Sequence, residues 1–298
     1  MNASPAACSD RISLVVLTYN RSRELSRSLS RLVALPDKPR IIVVDNGSTD
    51  DTAECVQTQF TEVEFVRSPA NLGAAGRNLG VQRVTTPYVA FSDDDTWWSP
   101  GSLSKAADML DAHPHIAVLV ARILVGVEER PDPASMAMSG SPLERIPGIG
   151  PLLVGFMAGA SVMRTQAFRD AGGYWSGFFI GGEESLLAMD ILDSGHQIVF
   201  APALQVHHWP SEHRDTPLRQ QLLVRNAIWT AWLRLPWRLA WKRTVSSLRD
   251  IKAPGLRSQV MKDALKGARQ IYRNRRVLSL QTCKMLQQVW RHEEKVAL

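Results

Sequence analysis

Cysteine is scarce in this 298-residue chain: Cys8, Cys55 and Cys283 stand far apart and are odd in number. That excludes a disulfide framework and the paired spacing of a zinc knuckle, and it predicts a reducing compartment. The first ten residues lack the basic-then-apolar pattern of a secretory leader, so a cytoplasmic location is expected. Glycine is missing from Thr18 to Arg21, the loop after the first expected strand. The Gly-X-Gly-X-X-Gly fingerprint of a dehydrogenase is therefore absent there, and so is the glycine-rich phosphate loop expected of a sugar nucleotidyltransferase. Long apolar runs are scarce as well. The one uncharged stretch that approaches a membrane span, 146–163, contains Pro147, Pro151 and four glycines, and reads as a loop feeding a buried strand.

Acidic residues are scarce at one end only. Residues 219–298 hold 18 Lys and Arg against 4 Asp and Glu, a net charge of +14, while residues 1–218 carry −8. This asymmetry predicts two regions and an acidic partner for the second.

What is present is an alternation of strands and helices. Ile12 to Leu17 is an apolar run that reads as the first strand. Ser22 is placed to cap a helix to about Ala34, with Leu25, Leu29 and Leu32 at helical spacing. Ile41 to Val44 is a second strand ending at Asp45, Glu62 to Arg67 a third and Tyr88 to Phe91 a fourth. Helices starting at Asp50 or Asp51 and at Ala74 separate them. The pattern predicts an α/β protein with a mostly parallel central sheet flanked by helices. Further on, Ser102 caps a helix to about Ala112, and Ile116 to Gly126 is a strand. Glu128 to Pro151 reads as a long mobile loop. Met157 to Arg164 is a strand, Thr165 to Ala171 a short helix, Glu183 to about Ser194 a helix stopped by Gly195, and Ile198 to Ala201 a short strand.

The fourth strand ends at Asp93, Asp94 and Asp95. Like charges at a strand end repel unless neutralised. A hard divalent cation is the usual partner, and ligands sit at the carboxyl ends of strands in open α/β sheets. A solvated acidic turn is the competing reading. Thr18, Tyr19, Asn20 and Arg21 follow the first strand. Asp45, at the end of the second, can accept hydrogen bonds from a base or ribose, or simply form a turn with Asn46-Gly47. Asn71, Gly73, Arg77 and Asn78 form a third cluster. Gly73 permits close backbone approach, and Arg77 offers a fork to phosphate or carboxylate or is an ordinary surface arginine.

Taken in order, Thr18-Tyr19-Asn20-Arg21, Val43-Val44-Asp45-Asn46-Gly47-Ser48-Thr49-Asp50, Asn71-Leu72-Gly73 with Arg77-Asn78, and Asp93-Asp94-Asp95 resemble the family 2 glycosyltransferases over roughly residues 11–210. The resemblance implies the GT-A (Rossmann-like) fold, a nucleotide-diphosphate sugar such as a UDP- or dTDP-sugar, and a divalent cation, Mn²⁺ or Mg²⁺. It assigns donor binding to Thr18, Tyr19, Asn20, Arg21, Asp45, Asn71, Gly73, Arg77, Asp93 and Asp94, with Asp45 on the nucleobase. Asp93 and Asp95 take the two acidic places of the family's Asp-X-Asp signature, Asp95 as direct metal ligand and Asp93 facing ribose or metal.

Glu183-Glu184 follows Gly181-Gly182 and opens a helix, where acids are ordinary partners of the helix dipole. By the resemblance, the second acid of a pair here is the catalytic base, Glu184 ahead of Glu183, although this chain has Glu where Asp is usual. Tyr174-Trp175 stands where relatives often carry Phe-Asp, and Trp175 is placed to floor the sugar site. His207 and His208 are neighbours on a strand and face opposite sides, so they cannot easily share one ion. The resemblance sets a histidine metal ligand at one of them. His113 and His115 receive no role. The implied activity is metal-dependent, inverting transfer of a sugar to a hydroxyl of a glycan, a lipid-linked sugar or a small molecule. The alternatives are a non-catalytic nucleotide-sugar-binding protein, because Glu184 departs from the usual Asp, and a sugar nucleotidyltransferase.

The expected organisation is a flexible N-terminus (1–10), the transferase domain (11–217) and a basic helical region (218–298). In the last, Trp229, Trp232, Trp237 and Trp241 interleave with Arg225, Arg234, Arg238, Lys242 and Arg243. Trp with Lys and Arg on an amphipathic helix suits an anionic membrane interface, which predicts peripheral association with the inner face of the membrane. A packing helix, a dimer surface and nucleic-acid binding are the other readings, nucleic acid ranked last.

Overall fold

A computed structural model describes residues 8–210, 217–249, 251 and 254–296. A short helix, α1 (Cys8–Arg11), leads into β1 (Ile12–Thr18). With β2 (Arg40–Asp45), β3 (Glu64–Arg67) and β4 (Tyr88–Asp93), β1 forms a parallel half-sheet in the order β3-β2-β1-β4. The connections are α2 (Ser22–Val33), α3 (Thr52–Gln59), and a 3₁₀ turn over Gly73–Gly76 that continues into α4 (Arg77–Arg83). A parallel strand covered on both faces needs an unbroken apolar run. In β1, Leu14 and Val16 join the core under α2, with Leu25, Leu29 and Leu32. Val15 joins the opposite core, with Val81 of α4.

The second half mixes directions. β5 (Thr96–Trp98), α5 (Ser102–Ala112), β6 (Ile116–Val125), β7 (Arg130–Pro131), α6 (Pro133–Ser139), and a hairpin of β8 (Arg145–Ile146) and β9 (Gly150–Pro151) come first. A 3₁₀ turn at Ala158–Ala160, then β10 (Ser161–Arg164), α7 (Thr165–Asp170), α8 (Glu183–Asp193) and β11 (Gln197–His208) complete it. β10 is antiparallel between β4 and β6, β11 is parallel to β6, and β5 is antiparallel to β11. The chain thus leaves β4 and joins the far end of the sheet within three residues. The sheet curls, and the end of β11 comes beside the acids at the end of β4.

Several local expectations are corrected. Glu128 to Pro151 is not a long mobile loop: it carries β7, α6 and the β8–β9 hairpin. Asp132 caps α6 by accepting from Ala134 N at 2.8 Å, with Pro133 in the first turn, a start signal that Asp-Pro carries in sequence. Ser22 and Ser102 do not cap their helices. Asp37 does so for α5 from a distance, accepting from Gly101 N at 2.7 Å and Ser104 N at 2.9 Å. β11 absorbs both the short strand at Ile198 and the two histidines, through a bulge between Ala201 and Gln205. Of the stretch expected to be flexible, residues 1–7 lie outside the described residues, and Cys8–Arg11 is helical.

The basic region forms α9 (Pro217–Arg234), α10 (Trp237–Arg249), α11 (Pro254–Lys266), α12 (Ala268–Arg273) and α13 (Leu280–Val296). It packs on α8. Phe178 and Leu186 share a core with Ile228, Trp229, Leu233 and Val260. Asp190 of α8 receives Arg234 at 2.5 and 2.9 Å and Arg276 at 2.7 Å. Among the described residues no helix is long and apolar enough to cross a membrane.

Candidate active site

The acids at the end of β4 are met by two arginines. Asp93 accepts from Arg77, whose guanidinium is buried and lies 5.7 Å from the Tyr174 ring centroid. Burial works against the Arg77 charge, but Asp93, Tyr174, Glu184 and Glu183 together outweigh it and hold the group above its ordinary range. Arg21 Nη1 donates to Asp94 Oδ1 at 2.7 Å and to Asp95 Oδ2 at 3.1 Å. Thr18 Oγ1 donates to Asp94 Oδ2 at 3.3 Å. Burial pushes the Asp94 carboxyl up to about 7, with Arg21 opposing and Asp95 adding to the rise. The carboxylate that reaches the cleft is Asp93, 39% exposed, whereas Asp95 is fully buried.

Glu184 reaches this corner from the start of α8. Gly181 and Gly182, at φ +81° and +89°, turn the chain so that Glu183 and Glu184 sit in the first helical turn. Ala158 N–H donates to Glu184 Oε1 at 2.6 Å. The next residue, Gly159, abuts the acid: a Cβ there would stand 2.7 Å from Asp93 Oδ2. Burial drives the Glu184 carboxyl up to about 7. Glu183 pushes the same way, and the Ala158 amide and Arg77 pull it back. Burial also raises Glu183.

The residues that the resemblance assigns to the donor gather near the ends of β1 and β2. Asp45 is buried, accepts from Ser48 N at 2.9 Å, and lies 3.3 Å from Arg67 Nε. Asn20 accepts from Thr49 N at 2.7 Å, and Tyr19 stands 40% exposed beside it. Asn71 accepts from Gly73 N and from Asn46 Nδ2, both at 2.9 Å. The close approach that Gly73 allows is to protein backbone: at φ +59°, a Cβ would lie 1.8 Å from the Phe179 carbonyl oxygen.

The two histidines divide. His208 Nε2 lies 3.7 Å from Asp95 Oδ1. His207 points elsewhere, stacked on Trp97 at 5.4 Å with its Nε2 2.8 Å from Ser99 Oγ. Trp175 meets Phe178 and Trp229 edge-on, at 4.9 and 6.2 Å, in the core shared with the C-terminal helices. Sequence reasoning did not single out Asn46, Ala158, Gly159 or Asn226. Asn226 is fully buried on α9 and donates to the carbonyls of Ile180 and Gly181 at 2.9 and 2.6 Å, bracing the turn that presents Glu184. Asn46 alone carried a signal, as part of the Asp-Asn-Gly turn.

The family model described as Glycosyl transferase family 2 matches residues 13–172, more than half of the chain. The chain belongs to glycosyl transferase family 2. A pre-mycofactocin glycosyltransferase of Mycobacterium tuberculosis is 30% identical over 222 residues, covering 68% of this chain and 44% of the relative. This family 2 chain therefore spans under half the length of that relative. An N-acetylglucosaminyl-diphospho-decaprenol L-rhamnosyltransferase of the same species is 24% identical over 237 residues, 67% of this chain and 76% of the relative. Among solved structures, GalNAc-T7 with UDP, GalNAc and Mn²⁺ aligns with a TM-score of 0.62 at 15% identity, over 85% of this chain and 55% of that one. The likeness to solved glycosyltransferases shows that this family 2 chain has the GT-A fold.

Proposed function

We propose that this family 2 glycosyltransferase moves a sugar from a nucleoside-diphosphate sugar to an acceptor hydroxyl by one in-line displacement that inverts the anomeric carbon. The observation that carries the reading is the pairing of Glu184 and Asp93 across Ala158–Gly159. Glu184 takes the proton of the acceptor hydroxyl as its oxygen attacks the anomeric carbon. The bond to the diphosphate breaks on the opposite face, and its electron pair leaves with the phosphate oxygen. A carboxyl titrating near 7 suits a general base at neutral pH. Arg77, braced by Asp93, faces the developing negative charge. Asp45 and the loop Thr18 to Arg21 hold the nucleoside, with Asn71 and Gly73 shaping the wall.

Among the described residues, no three His, Cys, Asp or Glu side chains stand together as a metal shell. The donor chemistry nevertheless fits Mn²⁺ or Mg²⁺: carboxylates of Asp93 and Asp95 with the imidazole of His208 nearby. Those three residues would hold the ion, with His207 outside the set. A divalent cation bound there would offset charge on the leaving diphosphate. The test is transfer of a labelled sugar from a panel of UDP- and dTDP-sugars with Mn²⁺ or Mg²⁺. Inverted product from wild type and turnover reduced by about 10²- to 10⁴-fold in Glu184→Gln, with donor binding retained, supports the reading. Equal turnover in both proteins removes Glu184 from its role.

A second surface supports peripheral membrane contact. On α10, Trp237 and Trp241 are one helical turn apart, 65% and 59% exposed, beside Arg238 and Lys242, which are also exposed. Exposed indoles next to cations match the interface of an anionic bilayer. Co-sedimentation with phosphatidylglycerol vesicles should fall for Trp237→Ser/Trp241→Ser. Unchanged sedimentation together with a change in dimerisation would assign the face to a second copy instead.

A further inference from the structure

A groove of about 800 Å³ runs beside the site, between α6, the segment 153–157 and α13. Its lining is chiefly apolar, with Met136, Met138, Phe156, Met157 and Val289 on the walls. Gln288 of α13 donates to the Pro142 carbonyl at 3.0 Å and holds the far wall in place. Met136 and Met157 remain 65% and 39% exposed. Large apolar side chains left open in a contiguous depression mark a binding surface, and methionine suits a partner without one fixed shape.

The groove's position names the occupant. Met157 on its wall is bonded to Ala158, whose amide holds Glu184. The wall of the groove therefore runs in the chain directly into the turn that holds Glu184. The lining offers few polar groups, with His292 and Glu293 of α13 contributed by its last turns. A bare glycan, hydroxyl-rich along its length, would leave its hydrogen bonds unmade against the methionines.

We propose that this groove binds a hydrocarbon chain carried by the acceptor, so that the acceptor is an amphiphile whose polar head lies at Glu184. The assignment to the acceptor rests on the glycosyltransferase reading above; the hydrocarbon site itself does not. Each methylene moved from water into such a lining strengthens binding by about fourfold before ordering costs are subtracted.

The probes are octyl β-D-glucoside, below its micelle concentration, and methyl β-D-glucoside, with binding read by saturation-transfer NMR. Gly155 lines the groove, and a Cβ there meets nothing within 4 Å, so Gly155→Phe fills the space without strain at the backbone. Gly140→Leu is a second filled variant, its Cβ at an ordinary 3.6 Å from the Ala137 oxygen. Wild type should bind the octyl compound at least tenfold tighter than the methyl one, and both filled variants should lose that preference. All three proteins should keep the same thermal shift with UDP and Mn²⁺. No octyl preference in wild type, or a preference that survives in both variants, overturns the proposal. An octyl preference in a wild type that shows no shift with UDP or dTDP and Mn²⁺ overturns the acceptor assignment through the failure of the transferase reading, and separates that failure from a failure of the groove.

Discussion

Asp93 and Glu184 are held against consecutive residues of one turn: Ala158 N–H donates to Glu184 at 2.6 Å, and Gly159 leaves no room for a Cβ beside Asp93. The two acids come from elements 91 positions apart in the chain, the end of β4 and the start of α8. The turn is the ruler that sets the distance between the two carboxylates.

Glu184→Gln keeps the shape of the side chain and removes its basicity. Turnover should fall by about 10²- to 10⁴-fold, with the donor's dissociation constant within a factor of three. Glu184→Asp draws the carboxyl back from the Ala158 amide and should lose turnover too, by a smaller factor. Single-turnover transfer and donor titration on the same preparations check both.

The pH dependence has a definite sign. In its proposed role as base Glu184 must be deprotonated, so kcat/KM should rise with pH through about 7 and level above it. For stability the sign is opposite. The folded carboxyl binds its proton more tightly than the unfolded one, so stability falls as pH rises from the ordinary glutamate range through about 7. Glu184→Gln should therefore be more stable than wild type at pH 8, by at most on the order of 3 kcal/mol, and show little difference at pH 4. Calorimetry at the two pH values decides the matter.

Gly159→Ala places a methyl group against Asp93 Oδ2, which Arg77 restrains from the other side. Donor affinity should drop at least tenfold while the melting temperature changes little, because the displaced group faces the cleft. Titration with UDP in the presence of Mn²⁺, beside a thermal melt, measures the two effects.

Arg21 is the fixed cation of Asp94 and Asp95. Removing one member of a buried ion pair costs about 3–5 kcal/mol, so Arg21→Met should be strongly destabilised. Millimolar Mn²⁺ should restore part of the loss in the variant and add less to wild type, since a cation that binds the folded state stabilises it by mass action.

Asn226→Ala removes both side-chain bonds that brace the turn before Glu183. Loss of about 1–3 kcal/mol is expected, together with a lower kcat at unchanged donor affinity, since the residue touches the base's support and not the donor side.

Much of this architecture is readable from the chain because buried parallel strands need unbroken apolar runs. Those from Ile12, Ile41 and Tyr88 stand out against the polar turns between them. Asp93 to Asp95 and Glu183-Glu184 are visible as acids placed where strands end or a helix begins. The neutralising partner is less visible. Repulsion within the triplet signals a cation but does not say that Arg21 and Arg77, 16 to 74 positions away, supply it. Which histidine turns to Asp95 depends on a bulge in β11 that no local residue preference announces. Ala158 and Gly159 are silent for a different reason. One contributes a backbone amide and the other the lack of a side chain, and neither leaves a chemical mark in a sequence.

β10 is hydrogen-bonded along both edges, to β4 on one side and β6 on the other. The turn that leads into it is thereby anchored at one end, so the spacing between the two carboxylates should change little when a substrate arrives. Whatever motion admits reactants and frees products must come from the periphery, where α6 and α13 flank the groove. Exchange with bulk solvent should accordingly be slow at backbone amides of β10 and fast at those of the two helices.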